Sequence, residues 1–282
     1  MQVPVDDHLV HRGDGVFETL KCATGGIYNL DAHLDRLSVS ALGIGLQSQY
    51  SAATLKELII ATVRAAGQPT ILIRVLLSRG PGSMGVNPHD CPSAETYIIV
   101  STAATPFMEK QPGGAHLGFS QVPPKPFPFS ALKHCNYLPN AMMAKESTDR
   151  GLDFIVGLTP DGNVLEGPTE NVACVDPDGY LIAPESNQIL AGTTLERVTV
   201  LAGDLVRNGS LQGIRQELIS KEQLMAAQEV LISGTSHDLV AVTRIDNQPV
   251  GSGTPGSAYK ALSQALRAEI YQPSPLRTDV HF

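Results

Sequence analysis

An α+β fold rich in antiparallel pairing is predicted for this chain, on three observations. Strand-like segments follow one another more often than they alternate with helical ones. Two β-branched runs, ILIRVLLS (71–78) and TYIIVS (96–101), stand close together in the first part of the chain. Asp161-Gly162 and Asp178-Gly179 are hairpin turn signals between alternating segments further on.

The elements follow in order. Val16 to Cys22 reads as a strand, Gly25-Gly26 as its turn and Ile27 to Leu30 as the returning strand. Asp31 then reads as an N-cap, with Leu34, Leu37 and Ala41 forming an apolar stripe at helical spacing. A second helix over about 52–66 gathers Leu55, Leu58, Ile59, Thr62 and Val63 and stops at Gly67. The segment RGPGSMGVNPHD between the two β-branched runs is turn-rich and too long for a tight hairpin. VPPKPFPF (122–129) is stiff and extended, so the domain boundary is placed there: a small α+β domain at 1–112, a proline-rich connector at 113–129 and a larger domain at 130–282. In the larger domain a helix is expected near Leu138 to Arg150 and another from Thr193-Thr194 to about Asn208. Ser220 to Gln223 carries a capping-box pattern, EVLIS (229–233) is a strand, and a last helix covers roughly 257–270.

Bulk properties narrow the function. A 42% hydrophobic and 17% charged composition is that of an ordinary globular protein. The net charge of −8 argues against nucleic-acid or anionic-membrane partners. No apolar run approaches the ~20 residues of a membrane span, and the N-terminus lacks the features of a secretion signal. Cys22, Cys91, Cys135 and Cys174 are scattered without a CxxC pair, which fits reduced thiols in the cytoplasm. The eight histidines never fall in an HxxxH or HxH pair, so no metal is expected; no GxSxG elbow or strand–GxGxxG–helix unit occurs either.

Several residues could carry chemistry. Lys133, just past the prolines, is either a solvated surface lysine or one that can hold an aldehyde cofactor as a Schiff base. Thr193 and Thr194 open a helix after Gly192, either as plain caps or as part of a phosphate seat made by backbone N–H groups. Gly234-Thr235-Ser236 is a second small-residue turn of that kind. Arg36, three residues after His33 on one helix face, suits bidentate phosphate capture or a surface salt bridge to Asp35, Glu57 or another carboxylate. Glu166, at a strand end before Gly167-Pro168, could keep a pyridine nitrogen protonated. Arg74 alternates onto the face of Leu72 and Leu76, so it either reaches solvent along its stem or faces a carboxylate.

Taken in order, RGDGVFETL (12–20), HLDRL (33–37), MGVNP (84–88), LKHCNYLPN (132–140), VLEGPTENV (164–172), ILAGTTLERV (189–198) and ISGTSHDLVAV (232–242) resemble aminotransferase class IV. That group holds branched-chain aminotransferases, D-amino-acid aminotransferases and aminodeoxychorismate lyases. The resemblance implies fold type IV, with a small N-terminal α+β domain, a larger pseudo-barrel domain, pyridoxal 5'-phosphate between them and a homodimer. It implies that Lys133 holds the cofactor and shuttles the proton of the substrate's α-carbon. It further implies that Arg36, Thr193, Thr194 and Thr235 bind phosphate, that Glu166 pairs with the pyridine nitrogen and that Tyr137 lies near the phenolic oxygen. Ser236 falls on the turn that meets the substrate carboxylate. Arg74 falls where branched-chain enzymes place a substrate-pocket arginine, with Phe17 and Thr19 beside it.

The function expected is amino transfer between an amino acid, L-branched-chain or otherwise apolar, and a 2-oxo acid, with glutamate/2-oxoglutarate as one pair. Asn136-Tyr137-Leu138 and MGVNP lean that way, and the 80–90 turn lacks the Arg-x-His of D-amino-acid enzymes. The alternatives are lysis of 4-amino-4-deoxychorismate, D-amino-acid transfer, and a cofactor-binding relative without catalysis.

Overall fold

The computed structural model describes residues 2–185 and 188–282. By contact they form two compact units. The first takes the chain up to Ala103, then Ala131–Tyr137 and Glu269–Phe282; the second takes Ala104–Ser130 and Leu138–Ala268. The sequence places the end of the small domain at 112 and gives 113–129 to a connector. Instead the break comes after Ala103, the prolines pack with the second unit, and two later segments return to the first. The return of 131–137 has a plain cause: Lys133 to Cys135 pair with the backbone of an early strand, which chain order cannot reveal.

In the first unit, a short helix α1 (His8–Arg12) leads into β1 (Gly15–Ala23) and β2 (Gly26–Tyr28). Helices α2 (Leu30–Gly43) and α3 (Ala52–Ala66) follow, then β3 (Ile71–Ser78) and β4 (Glu95–Thr102). Among the described residues these strands form a five-stranded sheet in the order C-terminal strand (Arg277–Asp279), β2, β1, β3, β4, every pairing antiparallel. Alternation sorts the sheet's faces. Val16, Leu20, Ile73, Val75 and Leu77 pack with Leu34, Leu37, Leu55, Ile59 and Val63 of the helices. Each such buried aliphatic side chain stabilises the unit by about 1.5–3 kcal/mol. The other face carries Phe17 opposite Leu76 and Thr19 opposite Arg74.

The caps are partly as expected. Ser51 Oγ accepts the Thr54 N–H at the start of α3, and Gly67 ends it with φ at 63°. The N-cap of α2 is Asn29, in the left-handed region, and not Asp31. Asp31 lies inside the first turn and pairs with Lys56 at 2.7 Å.

The second unit holds α4 (Phe107–Lys110), β5 (Ala115–Phe119), α5 (Leu138–Asp149), β6 (Phe154–Val156), β7 (Asn171–Val175) and β8 (Tyr180–Pro184). Then come α6 (Thr193–Arg207), β9 (Gly213–Glu217), α7 (Lys221–Ala226), β10 (Glu229–Gly234), β11 (Asp238–Ile245) and α8 (Ser257–Tyr271), which continues into the first unit. The sheet runs β6-β5-β11-β10-β7-β8-β9, with Gln248–Pro249 beside β11. It is mixed: β5 runs parallel to β6 and β11, and β8 to β9, while β7, β10 and β11 pair antiparallel. Its core includes Leu117, Val156, Val172, Ile232 and Val240. The capping box of α7 forms as the sequence predicts, Ser220 and Gln223 each bonding the other's backbone.

Candidate active site

Lys133 belongs to the first unit and is buried, with 8% of its surface exposed. Its backbone is held at both ends. The N–H donates to Ser40 Oγ of α2 at 3.1 Å, and the carbonyl accepts the Phe17 N–H of β1 at 2.9 Å. Cys135 N–H donates to the Gly15 carbonyl at 2.8 Å, so the segment lies as an antiparallel bridge along β1. Gly43 makes room for it, since a Cβ there would come within 2.6 Å of Leu132. The Lys133 ammonium lies 4.8 Å from the centre of the Phe17 ring. The same ring meets the Arg74 guanidinium at 5.3 Å and the Tyr137 ring, edge to face, at 5.2 Å. Lys133 and Arg74 thus both lie within cation–π range of the one Phe17 ring.

Arg36 and His33 lie on α2 and converge on Glu18 of β1. Glu18 alternates with Val16 and Leu20, so its side chain points toward the helices, and it is wholly buried. Arg36 Nε donates to Glu18 Oε1 at 2.6 Å, Arg36 Nη2 to Oε2 at 2.8 Å, and His33 Nδ1 lies 2.7 Å from Oε2. Burial pushes the Glu18 carboxyl up, but the hydrogen bonds from Arg36 and His33 outweigh it and hold the group at about 2. Burial pushes the His33 imidazole down, Glu18 pulls it back, and the charges of Arg36 and Lys133 oppose protonation, with a net lowering. An ionised carboxylate only accepts, so the partner assigns the proton of neutral His33 to Nδ1.

In the second unit the start of α6 is built around the peptide of Leu190. Its N–H donates to Glu166 Oε2 at 2.9 Å, and its carbonyl accepts from Asn171 Nδ2 at 3.0 Å. Glu166 Oε1 also faces Lys125 Nζ at 3.9 Å. Burial pushes Lys125 down and Glu166 pulls it partly back. The N-cap of α6 is Gly192, which has no side chain to bond the helix's first N–H groups. Thr193 and Thr194 lie one and two residues inside and are buried, so neither is the cap. Asn171 pairs with Ser233 across β7 and β10, which places the Ser233 side chain on the face where Asn171 meets Gly192. Ser233 Oγ is buried without a hydrogen-bond partner. Thr235 and Ser236 follow in the half-buried turn from β10 to β11.

The residues singled out from sequence thus fall into two groups. Lys133, Arg36, Tyr137, Phe17, Thr19 and Arg74 lie in the first unit, and Glu166, Thr193, Thr194, Thr235 and Ser236 in the second. Of the two readings of Arg36, a salt bridge is present, and the carboxylate that takes it is Glu18. Arg74 is exposed and lies along Phe17. Glu18, Ser40, Asn171 and Ser233 escape the sequence reading. Only Glu18 leaves a signal there, as a carboxylate at a core position between Val16 and Leu20. Among the described residues no group of histidine, cysteine or acidic side chains could hold a metal ion.

Each unit taken by itself holds a feature that fits part of a phosphorylated aldehyde. In the first, the buried, pinned Lys133 can hold an aldehyde carbon; in the second, a helix start capped by glycine, on the face that carries an orphaned buried hydroxyl, suits a phosphate. The two-sheet α+β architecture is that of fold type IV pyridoxal-phosphate enzymes. A branched-chain amino acid aminotransferase of T.th., solved with pyridoxamine 5'-phosphate, superposes with a TM-score of 0.92 at 27% identity, over 99% of this chain and 94% of that one. The class IV aminotransferase model matches residues 15–245, and the chain belongs to that family. It is 34% identical to the chloroplastic D-amino-acid transaminase of Arabidopsis thaliana over 276 residues, 98% of this chain and 73% of the relative. It is 28% identical to the branched-chain-amino-acid aminotransferase of Salmonella typhimurium, over 94% of this chain and 87% of that one. Pyridoxal 5'-phosphate is its cofactor, and it moves amino groups between amino acids and 2-oxo acids.

Proposed function

We propose that the chain transfers amino groups with glutamate/2-oxoglutarate as one substrate pair and an apolar L-amino acid as the other partner. The observation that carries this reading is the Phe17 ring, with Lys133 Nζ 4.8 Å and the Arg74 guanidinium 5.3 Å from its centre. A dicarboxylate whose amino end reacts near Lys133 can place its distal carboxylate on Arg74, where a charge-assisted pair forms. An apolar side chain in the same place meets Phe17 instead, with Thr19 opposite Arg74 leaving a small polar gap.

In this reading Lys133 would bind the cofactor's aldehyde carbon, Arg36, Thr193, Thr194 and Thr235 would take its phosphate, and Tyr137 would face its phenolic oxygen. The bound cofactor supplies an electron-withdrawing ring that loosens the proton on the amino acid's α-carbon. Once the substrate's amine has displaced it from the aldehyde carbon, the freed Lys133 Nζ would take that proton and deliver it to the former aldehyde carbon. Glu166, oriented by the Leu190 N–H, would accept a hydrogen bond from the ring nitrogen and so favour its protonated form. Ser236 meets the substrate's α-carboxylate. The Nε and Nη2 edge of Arg36 faces Glu18. A homodimer is the assembly that the resemblance to class IV aminotransferases implies. A cytoplasmic location is supported by the four free cysteines, and no helix among the described residues is long and apolar enough to cross a membrane.

The test is a panel of L- and D-amino acids against 2-oxoglutarate and pyruvate, with wild type and Arg74→Leu. The expected result is turnover of L-glutamate and apolar L-amino acids. Arg74→Leu should raise the KM for 2-oxoglutarate about tenfold or more, the value of a charge-assisted hydrogen bond, and leave that for an apolar oxo acid nearly unchanged. Equal effects on both would defeat the assignment of Arg74. The second reading, D-amino-acid transfer, is favoured by the similarity to the plant D-amino-acid transaminase. Activity confined to D-amino acids would establish it.

A further inference from the structure

A carboxylate buried without any exposure is expensive unless several donors meet it. Glu18 is met by four. Arg36 approaches side-on through Nε and Nη2, His33 adds Nδ1, and the Thr19 backbone N–H reaches Oε2 at 3.3 Å. The helix supplying Arg36 and His33 is anchored by Leu34 and Leu37, both buried. Two parallel bonds from one edge of a planar guanidinium set its plane as well as its place. Arginine otherwise has a long stem with many rotamers open to it.

We propose that Glu18 is a positioning residue that fixes the guanidinium of Arg36 for the cofactor's phosphate, so that its loss is felt in phosphate binding and not in binding of the aldehyde. The inference rests on the reading of Arg36 as a phosphate ligand. Two effects of Glu18 compete: it orients the fork, and its negative charge repels the phosphate. Glu18→Asp separates them. It keeps the charge but withdraws the carboxylate by about 1.5 Å, one carbon–carbon bond. Bonds of 2.6 and 2.8 Å then stretch beyond hydrogen-bond range unless Arg36 turns to follow.

The experiment measures dissociation constants for pyridoxal 5'-phosphate and for pyridoxal, which lacks the phosphate, in wild type, Glu18→Asp and Glu18→Gln. Each substitution is repeated with Arg36→Ala. Glu18→Asp should weaken pyridoxal 5'-phosphate about tenfold and pyridoxal less than about twofold, and it should add nothing once Arg36 is gone. A protein loosened in general would lose both ligands alike, and that result overturns the proposal. So does unchanged binding in Glu18→Asp together with tighter phosphate binding in Glu18→Gln, since Glu18 then acts only as an opposing charge. If Glu18→Asp does not fold, Arg36→Lys tests the same point from the other side, keeping the charge and removing the fork. An unchanged ratio of the two affinities there also overturns it. Wild type that does not bind pyridoxal 5'-phosphate at all overturns the underlying reading first, before any variant is compared.

Discussion

Gly192→Ala should destabilise the second unit by about 2–4 kcal/mol, although glycine's backbone freedom plays no part there. Gly192 has φ −77° and ψ 119°, a conformation alanine adopts without strain. The difficulty is space. An added Cβ would overlap Asn171 Oδ1 and lie 2.8 Å from its Cγ. Asn171 is itself buried and cannot swing to solvent. To yield, it must give up its bond to the Leu190 carbonyl, leaving buried polar groups unpaired at about 1–3 kcal/mol, or α6 must shift and forfeit packing of similar size. The assay is urea unfolding of Gly192→Ala, Asn171→Ala and the double variant. Asn171→Ala removes the clash, so the double variant should be more stable than the sum of the single effects by about 1 kcal/mol or more. Additive losses, or a Gly192→Ala loss below about 0.5 kcal/mol, would refute the steric account.

Other expectations follow from the same geometry. Glu18 has an ordinary value of 4.5 and is held at about 2 in the fold, so its contribution is present above pH 4.5 and is lost as pH falls toward 2. That contribution is on the order of 3 kcal/mol. Stability of wild type should therefore fall more steeply than that of Glu18→Gln across this window, and parallel curves would contradict the coupling. His33 is lowered from 6.5, so its contribution is full above 6.5 and is lost as pH falls through the lower folded value. Replacing it with a non-titrating residue should flatten that part of the stability curve in urea titrations. Glu166→Gln should retain the cofactor by dialysis yet lose turnover strongly, and near-normal rates would show that Glu166 only anchors Leu190.

Much of the fold is legible because burial writes it as a period. The strand over 71–78 appears with the bounds the sequence predicts, since Ile71, Ile73, Val75 and Leu77 all turn to one core. The helix from Thr193 and the capping box at Ser220 are legible through local chemistry. Asp31 misleads because its residue type favours a cap, whereas Asn29 takes the left-handed turn that starts α2. The C-terminal strand Arg277–Asp279 is short and polar and leaves no alternation to read. Lys133 is legible only within an ordered set of motifs; nothing local says that Ser40 and Phe17 pin its backbone. Glu18 requires knowing that β1 turns it inward onto an arginine and a histidine eighteen and fifteen positions away.

The most direct test of the account is the visible spectrum of the purified protein with pyridoxal 5'-phosphate, recorded before and after one amino-acid substrate. Wild type should be yellow after dialysis, should bleach with L-glutamate and should recover its colour with 2-oxoglutarate. Lys133→Ala should lose the band. A wild type that stays colourless, or a Lys133→Ala variant that keeps both the colour and its cycling, would contradict the assignment of Lys133 on which the account stands.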